Sequence, residues 1–246
     1  MPDGLVLLLA EPTLVVAYIV FGMVGFGTTL VAAPILAHVL PVSTVIPMQA
    51  LLDLVAASSN GLKLGAHAQK KEVASLLAPM ICGNAFGAYI LFAVPLKTLM
   101  LLLGAFVFLY ALNGLRNKPA RPALTSGWAW WYGGTGGVLS ALFGAGGWVY
   151  SIYLVRRLED PRAIRATQVA VLTVSSVIRV GLFLAAGRYF DLELLLLVLL
   201  LLPAMWLGLF IGNRMVSGID RSRFMQVLYG VLMVTGASLV VRALVS

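Results

Sequence analysis

Six long apolar stretches constrain this chain more than any other feature. They cover about residues 45–68, 73–95, 96–115, 166–187, 192–213 and 224–241. A transmembrane helix needs roughly 18 to 20 consecutive, mainly apolar residues, and each stretch approaches or exceeds that length. The sequence therefore predicts an all-α polytopic membrane protein, with a single integral membrane domain over residues 1–246.

The composition agrees with a membrane protein and disfavours several other classes. The chain is 61% hydrophobic and 11% charged, whereas a soluble domain carries about 25% charged residues. An intramembrane enzyme is disfavoured, because no HExxH, GxSxG or Cys–His set is present. We predict no catalytic residue, no metal site and no cofactor. The net charge is +8, and the excess Lys and Arg residues are predicted to lie in loops, where they orient the chain in the membrane. No nucleic-acid partner is therefore expected.

Two further apolar stretches, about 5–40 and 127–155, are interrupted by glycine. The interruptions are Gly25-Phe26-Gly27 and Gly144-Ala145-Gly146-Gly147. The second stretch is too short for two crossings of about 20 residues each, but it suffices for two half-helices. Non-helical backbone at membrane depth is tolerated where it lines an internal cavity. The breaks are therefore predicted to line a site, with half-helix N-termini that suit an anion. The alternative is that these glycines only let helices pack closely.

The two interrupted stretches belong to an internal repeat. Gly25-Phe26-Gly27 recurs as Gly144-Ala145-Gly146, and Gln49 recurs as Gln168, each 119 residues later. Repeat one covers about residues 5–115 and repeat two about 127–242. Paired interrupted segments in two halves of a membrane protein point to a transport site at the repeat interface.

The distribution of positive charge predicts how the second broken stretch lies. If all eight apolar elements cross the membrane, Lys and Arg divide eight against seven between the two sides. If residues 127–155 instead enter and return, they divide twelve against three, a strong positive-inside signal. The twelve are Lys70, Lys71, Arg116, Lys118, Arg121, Arg156, Arg157, Arg162, Arg165, Arg214, Arg221 and Arg223.

This division favours one re-entrant element plus three crossings in each half. An odd number of crossings turns the second half over, so the halves form an inverted repeat. Residues 118–121 and 156–165 then share the cytoplasmic side. The alternative architecture has eight plain crossings in two parallel four-helix halves.

Two ionisable residues lie inside predicted spans, where they are costly and are functional candidates. Asp53 lies eight residues into its span and Arg179 lies eight residues before the end of its own. In the inverted arrangement both are about 12 Å below the outer face, at about 1.5 Å per residue. Two interpretations explain this shared depth: Asp53 and Arg179 form a joint substrate site, or they form a purely structural ion pair.

Polar residues extend along the same helix faces. Gln49 and Asp53 are four residues apart and share a face with Asn60, while Gln168 and Ser175 continue the stripe of Arg179. Such a stripe could replace water around a polar solute, or could form hydrogen bonds between helices. Two small-residue patterns are predicted to be close-packing surfaces: Gly83-x-x-x-Gly87 and Gly208-x-x-x-Gly212.

The glycine motifs resemble those of a known family. The segment Gly22-Met-Val-Gly-Phe-Gly-Thr-Thr-Leu-Val-Ala-Ala-Pro34, followed by Gln49 on the next helix, resembles the sulfite exporter TauE/SafE family. Gly144-Ala-Gly-Gly147 is similar to the start of that family's second half, and the resemblance covers nearly the whole chain. It implies transport of sulfur-containing anions such as sulfite or sulfonates.

We therefore expect a secondary transporter for a small anion in the cytoplasmic (inner) membrane, with the lipid bilayer as its surroundings and a proton as its coupling ion. Asp53 is the predicted proton carrier. A passive anion channel, or a transporter of another small carboxylate or inorganic anion, is the alternative. The predicted substrate-binding residues are Gly25, Gly27, Thr28, Gln49, Asn60, Gly144, Gly146, Gly147, Gln168, Ser175 and Arg179.

Overall fold

The structure is a computed structural model that describes residues 4–64, 67–115, 123–215 and 221–245. Within these ranges the chain forms ten α-helices and two short 3-10 turns. The helices are α1 (Gly4–Val24), α2 (Thr28–Leu36), α3 (Val42–Leu64), α4 (Lys70–Ala93), α5 (Leu96–Gly114), α6 (Ala129–Phe143), α7 (Gly146–Val155), α8 (Pro161–Ala185), α9 (Leu192–Met215) and α10 (Arg221–Val245), and the turns are Ser126–Trp128 and Arg188–Phe190.

Seven of these helices are long and apolar enough to cross a membrane. Six of them, α3, α4, α5, α8, α9 and α10, coincide with the six predicted spans, which are confirmed as candidate spans. The seventh is α1. A half-helix was expected there, but α1 runs for 21 residues, because the glycine break follows a long uninterrupted apolar run instead of dividing it.

The outer surface of the helix bundle is apolar, as a lipid-facing surface should be. Large side chains such as Leu8, Phe86, Leu199 and Val234 are 76%, 58%, 62% and 70% exposed. The buried interior instead includes Gln49, Asn84, Ser175 and other polar side chains. Exposed apolar surface on this scale marks a membrane interface in a folded protein.

Both predicted glycine interruptions break their helices. Gly25 and Gly27 have φ of +88° and +101°, and Gly144 has φ of +60°. These left-handed conformations cost L-residues with a side chain roughly 1–2 kcal/mol each, so glycine is the residue that ends α1 and α6 here.

The second broken element is an antiparallel hairpin. Tyr150 of α7 packs beside Gly136 of α6, and the rings of Tyr132 and Tyr153 lie 5.8 Å apart. The backbone N–H of Leu124, which precedes α6, donates to the carbonyl of Arg156, which follows α7, over 3.2 Å. The chain therefore leaves this element at the end where it entered.

The first broken element folds in the same sense. Gly27 lies next to Val20, and one groove is lined by Val16 and Val20 of α1 together with Val31 and Ile35 of α2. The short helix α2 thus runs back along α1 after the break.

Small residues bring three pairs of helices into backbone contact. Gly83 and Gly87 of α4 pack on the backbone of Gly134 and Val138 in α6. Gly208 and Gly212 of α9 pack in the same way on α1, and Gly104 of α5 meets Gly236 of α10. The two predicted close-packing surfaces are confirmed, and any larger side chain at these glycines would collide with backbone.

Candidate functional site

The predicted pair of ionisable residues meets where α3 packs against α8. Helix α8 begins at Pro161, and the Asp160 side chain accepts a hydrogen bond from the backbone N–H of Arg162 over 2.9 Å. This N-cap and proline are strong start signals for a helix. Along α8, Arg179 is 3% exposed, and its Nη2 lies 3.5 Å from Oδ2 of Asp53, which is 6% exposed.

Two hydroxyl groups hold the other oxygen of the carboxylate. Oδ1 of Asp53 accepts a hydrogen bond of 3.0 Å from Tyr18 on α1 and one of 2.7 Å from Thr28 at the start of α2. Because hydrogen bonds to ionised groups are stronger than neutral ones, these contacts stabilise a charged carboxylate. Four helices, α1, α2, α3 and α8, therefore converge on Asp53.

The guanidinium is less well satisfied than the carboxylate. Among the described residues, Nε and Nη2 of Arg179 have no hydrogen-bond partner, although both atoms are buried. The 3.5 Å contact with Asp53 is longer than the 2.7–2.9 Å typical of a charge-assisted hydrogen bond. Unfilled donors on a buried cation are costly, so Arg179 is ready to accept an additional anionic partner.

A small cavity lies against this pair. Its volume is ≈ 20 Å³, which is room for about one water molecule. The residues that line it come from both halves of the chain: Phe21, Phe26, Gly27, Thr28, Asp53, Ala57, Ser140, Gly144, Leu172, Ser175, Ser176 and Arg179. Six predicted site residues are thus brought together here: Gly27, Thr28, Asp53, Gly144, Ser175 and Arg179.

The two glycine breaks meet at this cavity. Gly144, at the end of α6, packs against the side chain of Thr29 in α2, and Gly147 packs against Phe26. A Cβ atom at Gly144 would collide with Thr29, in addition to the strain of its left-handed backbone. The N-terminus of α2, at Gly27 and Thr28, faces the cavity, so its positive dipole end adds to the field of Arg179.

Comparison of the chain with models of known protein families gives a match. The model of the family described as "Sulfite exporter TauE/SafE" matches residues 12–239, which is nearly the whole chain. The chain belongs to the TauE/SafE family. It is therefore a membrane transporter and not an enzyme, as predicted.

Two curated relatives support the TauE/SafE assignment at low identity. The chain is 25% identical over 190 residues to "Probable inner membrane transporter protein TsaS" of Comamonas testosteroni, covering 77% of this chain and 80% of the relative. It is 32% identical over 148 residues to "Probable sulfite/organosulfonate exporter TauE" of Cupriavidus necator, covering 59% and 57%. No solved structure matches. The seven candidate spans and the relationship to an inner-membrane transporter place this TauE/SafE protein in the inner membrane.

Several predicted site residues of this TauE/SafE chain lie beside the cavity and not in its wall. Gln168 donates from Nε2 to the carbonyl of Gly147 over 2.7 Å, so it holds the first turn of α7. Gly146 packs against Ser140 and the backbone of Gly136. Gly25 supplies the left-handed end of α1. These contacts assign the three residues to building the helix breaks.

Two other predicted residues, Gln49 and Asn60, are both on α3. Gln49 is fully buried, and neither its Oε1 nor its Nε2 has a hydrogen-bond partner among the described residues. It does not line the cavity. The side chain of Asn60 lies outside the described part of the chain.

Two residues at the site, Tyr18 and Ser140, carry no signal in the sequence. Tyr18 binds Asp53, yet it stands alone in an apolar run and carries no motif. The Oγ atoms of Ser140 and Ser175 lie 2.9 Å apart, but in the predicted repeat Ser140 corresponds to Phe21, so that pattern gives no polar signal for it.

A second ion pair lies away from the cavity. Nη2 of Arg157 donates to Oε1 of Glu72 over 2.6 Å, Tyr153 donates to Oε2 over 2.7 Å, and Arg157 also donates to the carbonyl of Leu124 over 3.1 Å. The hydrogen bond to Glu72 is the main cause that raises the pKa of Arg157. This pair ties the chain after α7 to the start of α4.

Proposed function

We propose that this protein is a secondary transporter that moves a small sulfur-containing anion, sulfite or an organosulfonate, out across the cytoplasmic membrane. The observation that carries the proposal is Arg179, a buried guanidinium with two unfilled donors beside a cavity. A guanidinium is planar and stays charged when buried, so it suits an oxyanion. The name of the Cupriavidus necator relative, a probable sulfite/organosulfonate exporter, agrees with the sulfur-containing class.

Charge balance suggests how substrate and proton are coupled. The Asp53–Arg179 pair is neutral overall while both groups are ionised. An anion that binds Arg179 adds a net negative charge to a low-dielectric site, which is strongly unfavourable. A proton taken up by Asp53 restores neutrality. In this cycle one proton travels with one monovalent anion, and an anion that accumulates in the cytoplasm leaves down its own gradient.

The size of the cavity favours a carrier over a passive channel. A volume of ≈ 20 Å³ is too small for a multi-atom oxyanion, so substrate entry requires the helix breaks to separate. Alternating access around a central site is the usual mechanism of transporters with broken helices.

We also propose that the two halves form the inverted repeat that the sequence predicts. Each half has five helices, α1 to α5 and α6 to α10, so exchanging the halves pairs α1 with α6, α2 with α7 and so on. This exchange converts the packed pair α1–α9 into α6–α4, and leaves the packed pairs α3–α8 and α5–α10 unchanged. At the cavity, three pairs of lining residues are 119 apart: Phe21 with Ser140, Asp53 with Leu172, and Ala57 with Ser176. Both regularities support a two-fold relation whose axis passes near the site.

The hairpin geometry of α6 and α7 supports the predicted sidedness. Leu124 and Arg156 are hydrogen-bonded, so the two loops that flank this hairpin lie on one side, which the positive-inside rule makes cytoplasmic. Residues 118–121 lie outside the described part of the chain.

Counterflow in proteoliposomes tests the proposed function. Vesicles preloaded with unlabelled sulfite should transiently accumulate radiolabelled sulfite above its external concentration, because a carrier exchanges one anion for another. Flux without counterflow would show a channel instead. Absence of flux for both sulfite and methanesulfonate, in vesicles that contain correctly inserted protein, would refute the anion class.

A further inference from the structure

An apolar groove leads from the lipid-facing surface towards the central cavity. It lies between α1, α2 and α10 and has a volume of ≈ 380 Å³, within the range of pockets that hold drug-sized ligands. The residues that line it are Pro12, Thr13, Val16, Val20, Val31, Ile35, Leu228 and Val231. The single hydroxyl, that of Thr13, donates to the carbonyl of Leu9 over 2.6 Å, so the wall offers a tail only apolar contact.

A third and smaller void, the neck, lies between the groove and the central cavity and shares lining residues with both. The neck, ≈ 10 Å³, shares Val20, Val31 and Leu228 with the groove. It shares Phe26 and Gly27 with the central cavity that contains Arg179. Phe26 and Gly27 therefore lie at the boundary between the neck and the cavity.

The backbone around that aromatic residue is suited to movement. Phe26 is flanked by Gly25 and Gly27, both in left-handed conformations. Glycine adopts left-handed and right-handed conformations almost equally well, so the backbone on both sides of Phe26 has more conformational freedom than the helices. Phe26 lies between the neck of the groove and the cavity, where a change in its conformation would alter the connection between them.

We propose that the groove between α1, α2 and α10 binds the apolar tail of an organosulfonate whose sulfonate group occupies the site at Arg179. The inference rests on the proposed function and narrows its substrate class to sulfonates with an alkyl or aryl group. An amphiphilic anion needs a cationic end and an apolar end next to each other, and the shared lining that runs from the groove through the neck to the cavity provides both. A lipid acyl chain is the competing occupant, and its binding would not depend on Arg179.

Binding of a homologous series of sulfonates tests this proposal. We would measure the affinity of the full-length protein, in phosphatidylcholine nanodiscs, for methanesulfonate and for pentanesulfonate by calorimetry. Burial of a methylene group strengthens binding by about fourfold, so four methylenes should strengthen it by between about 15-fold, for half burial, and about 200-fold. A ratio of affinities near one would overturn the tail site while leaving anion transport intact.

A matched pair of variants on α10 identifies the groove as the cause. Val231 lines the groove and Val234, one turn away, faces the surroundings and is 70% exposed. Val231→Trp should fill the groove and bring the ratio of affinities close to one. Val234→Trp should keep the wild-type ratio. If both variants keep it, the tail binds elsewhere and the proposal is wrong.

Arg179→Ala separates failure of this proposal from failure of the proposed function. Loss of binding for both sulfonates supports one site with two ends. If pentanesulfonate still binds tightly to Arg179→Ala while methanesulfonate does not, the groove is a lipid-like site that acts independently of the anion site, and the inference is overturned. If methanesulfonate also binds normally, the proposed function fails with it.

Discussion

Replacement of Arg179 by alanine or lysine separates an anion-binding arginine from a structural one. The guanidinium has two unfilled donors, Nε and Nη2, and a hydrogen bond to a charged group contributes about 1.5–3 kcal/mol. Loss of both in Arg179→Ala should cost about 3–6 kcal/mol, so affinity for sulfite should fall by more than about 100-fold. Arg179→Lys keeps the charge but not the planar fork, and should lose roughly 10- to 30-fold.

The alanine variant also leaves Asp53 buried without its cation. Removal of one partner from a buried ion pair costs about 3–5 kcal/mol of folding stability, which by itself would confuse the result. The double variant Arg179→Ala with Asp53→Asn removes both charges, so it should melt closer to wild type and still fail to bind. Arg157→Lys is the matched control, since this arginine pairs with Glu72 away from the cavity, and its affinity for sulfite should stay at the wild-type value.

Isothermal titration calorimetry of purified protein gives the affinities, and differential scanning fluorimetry gives the melting temperatures. Wild-type affinity in a folded Arg179→Ala protein would refute the anion-binding role. Recovery of stability by a swap of the two charges, with binding unchanged throughout, would establish a structural pair instead.

Three further results are expected. Gly144→Ala should abolish transport and destabilise the fold by at least about 1–2 kcal/mol, because φ is +60° there. The control Gly181→Ala on α8 has open space around the new Cβ atom and should be neutral or stabilising. Equal transport rates for the two variants would contradict a role for the helix break at Gly144. Cysteines introduced at Thr125 and Glu159, in a cysteine-free background, should react with a membrane-impermeant reagent from the same side, and labelling from opposite sides would restore the eight-crossing architecture. Tyr18→Phe removes one hydrogen bond to the buried carboxylate, so the melting temperature should fall by the equivalent of about 1.5–3 kcal/mol, and an unchanged value would show that this contact contributes nothing.

The sequence predicted the features that depend on local pattern. Six spans follow from apolar runs, and both helix breaks follow from glycine motifs. The meeting of Asp53 with Arg179 followed from their matching distances to the ends of their spans. Each of these inferences needs only the periodicity of a helix and the thickness of a bilayer.

The remaining features depend on tertiary packing that no local pattern encodes. Tyr18 reaches Asp53 only because α1 packs beside α3 and α2. Gln168 is predicted to bind substrate, and in the structure its Nε2 donates to the carbonyl of Gly147, a contact between α8 and α7 that no local pattern indicates. By analogy with the second break, the sequence predicts a half-helix before Gly25, whereas α1 runs for 21 residues.

The most direct test of the central claim is the number of protons taken up when an anion binds. Methanesulfonate suits this measurement, because it keeps its charge across the working pH range and cannot itself supply or release the proton. Calorimetric titration in buffers of different ionisation enthalpy should show uptake of about one proton per methanesulfonate bound in the wild-type protein, and none in Asp53→Asn. Tight binding without any proton uptake in the wild-type protein would contradict the proposal that anion binding at Arg179 is coupled to protonation of Asp53.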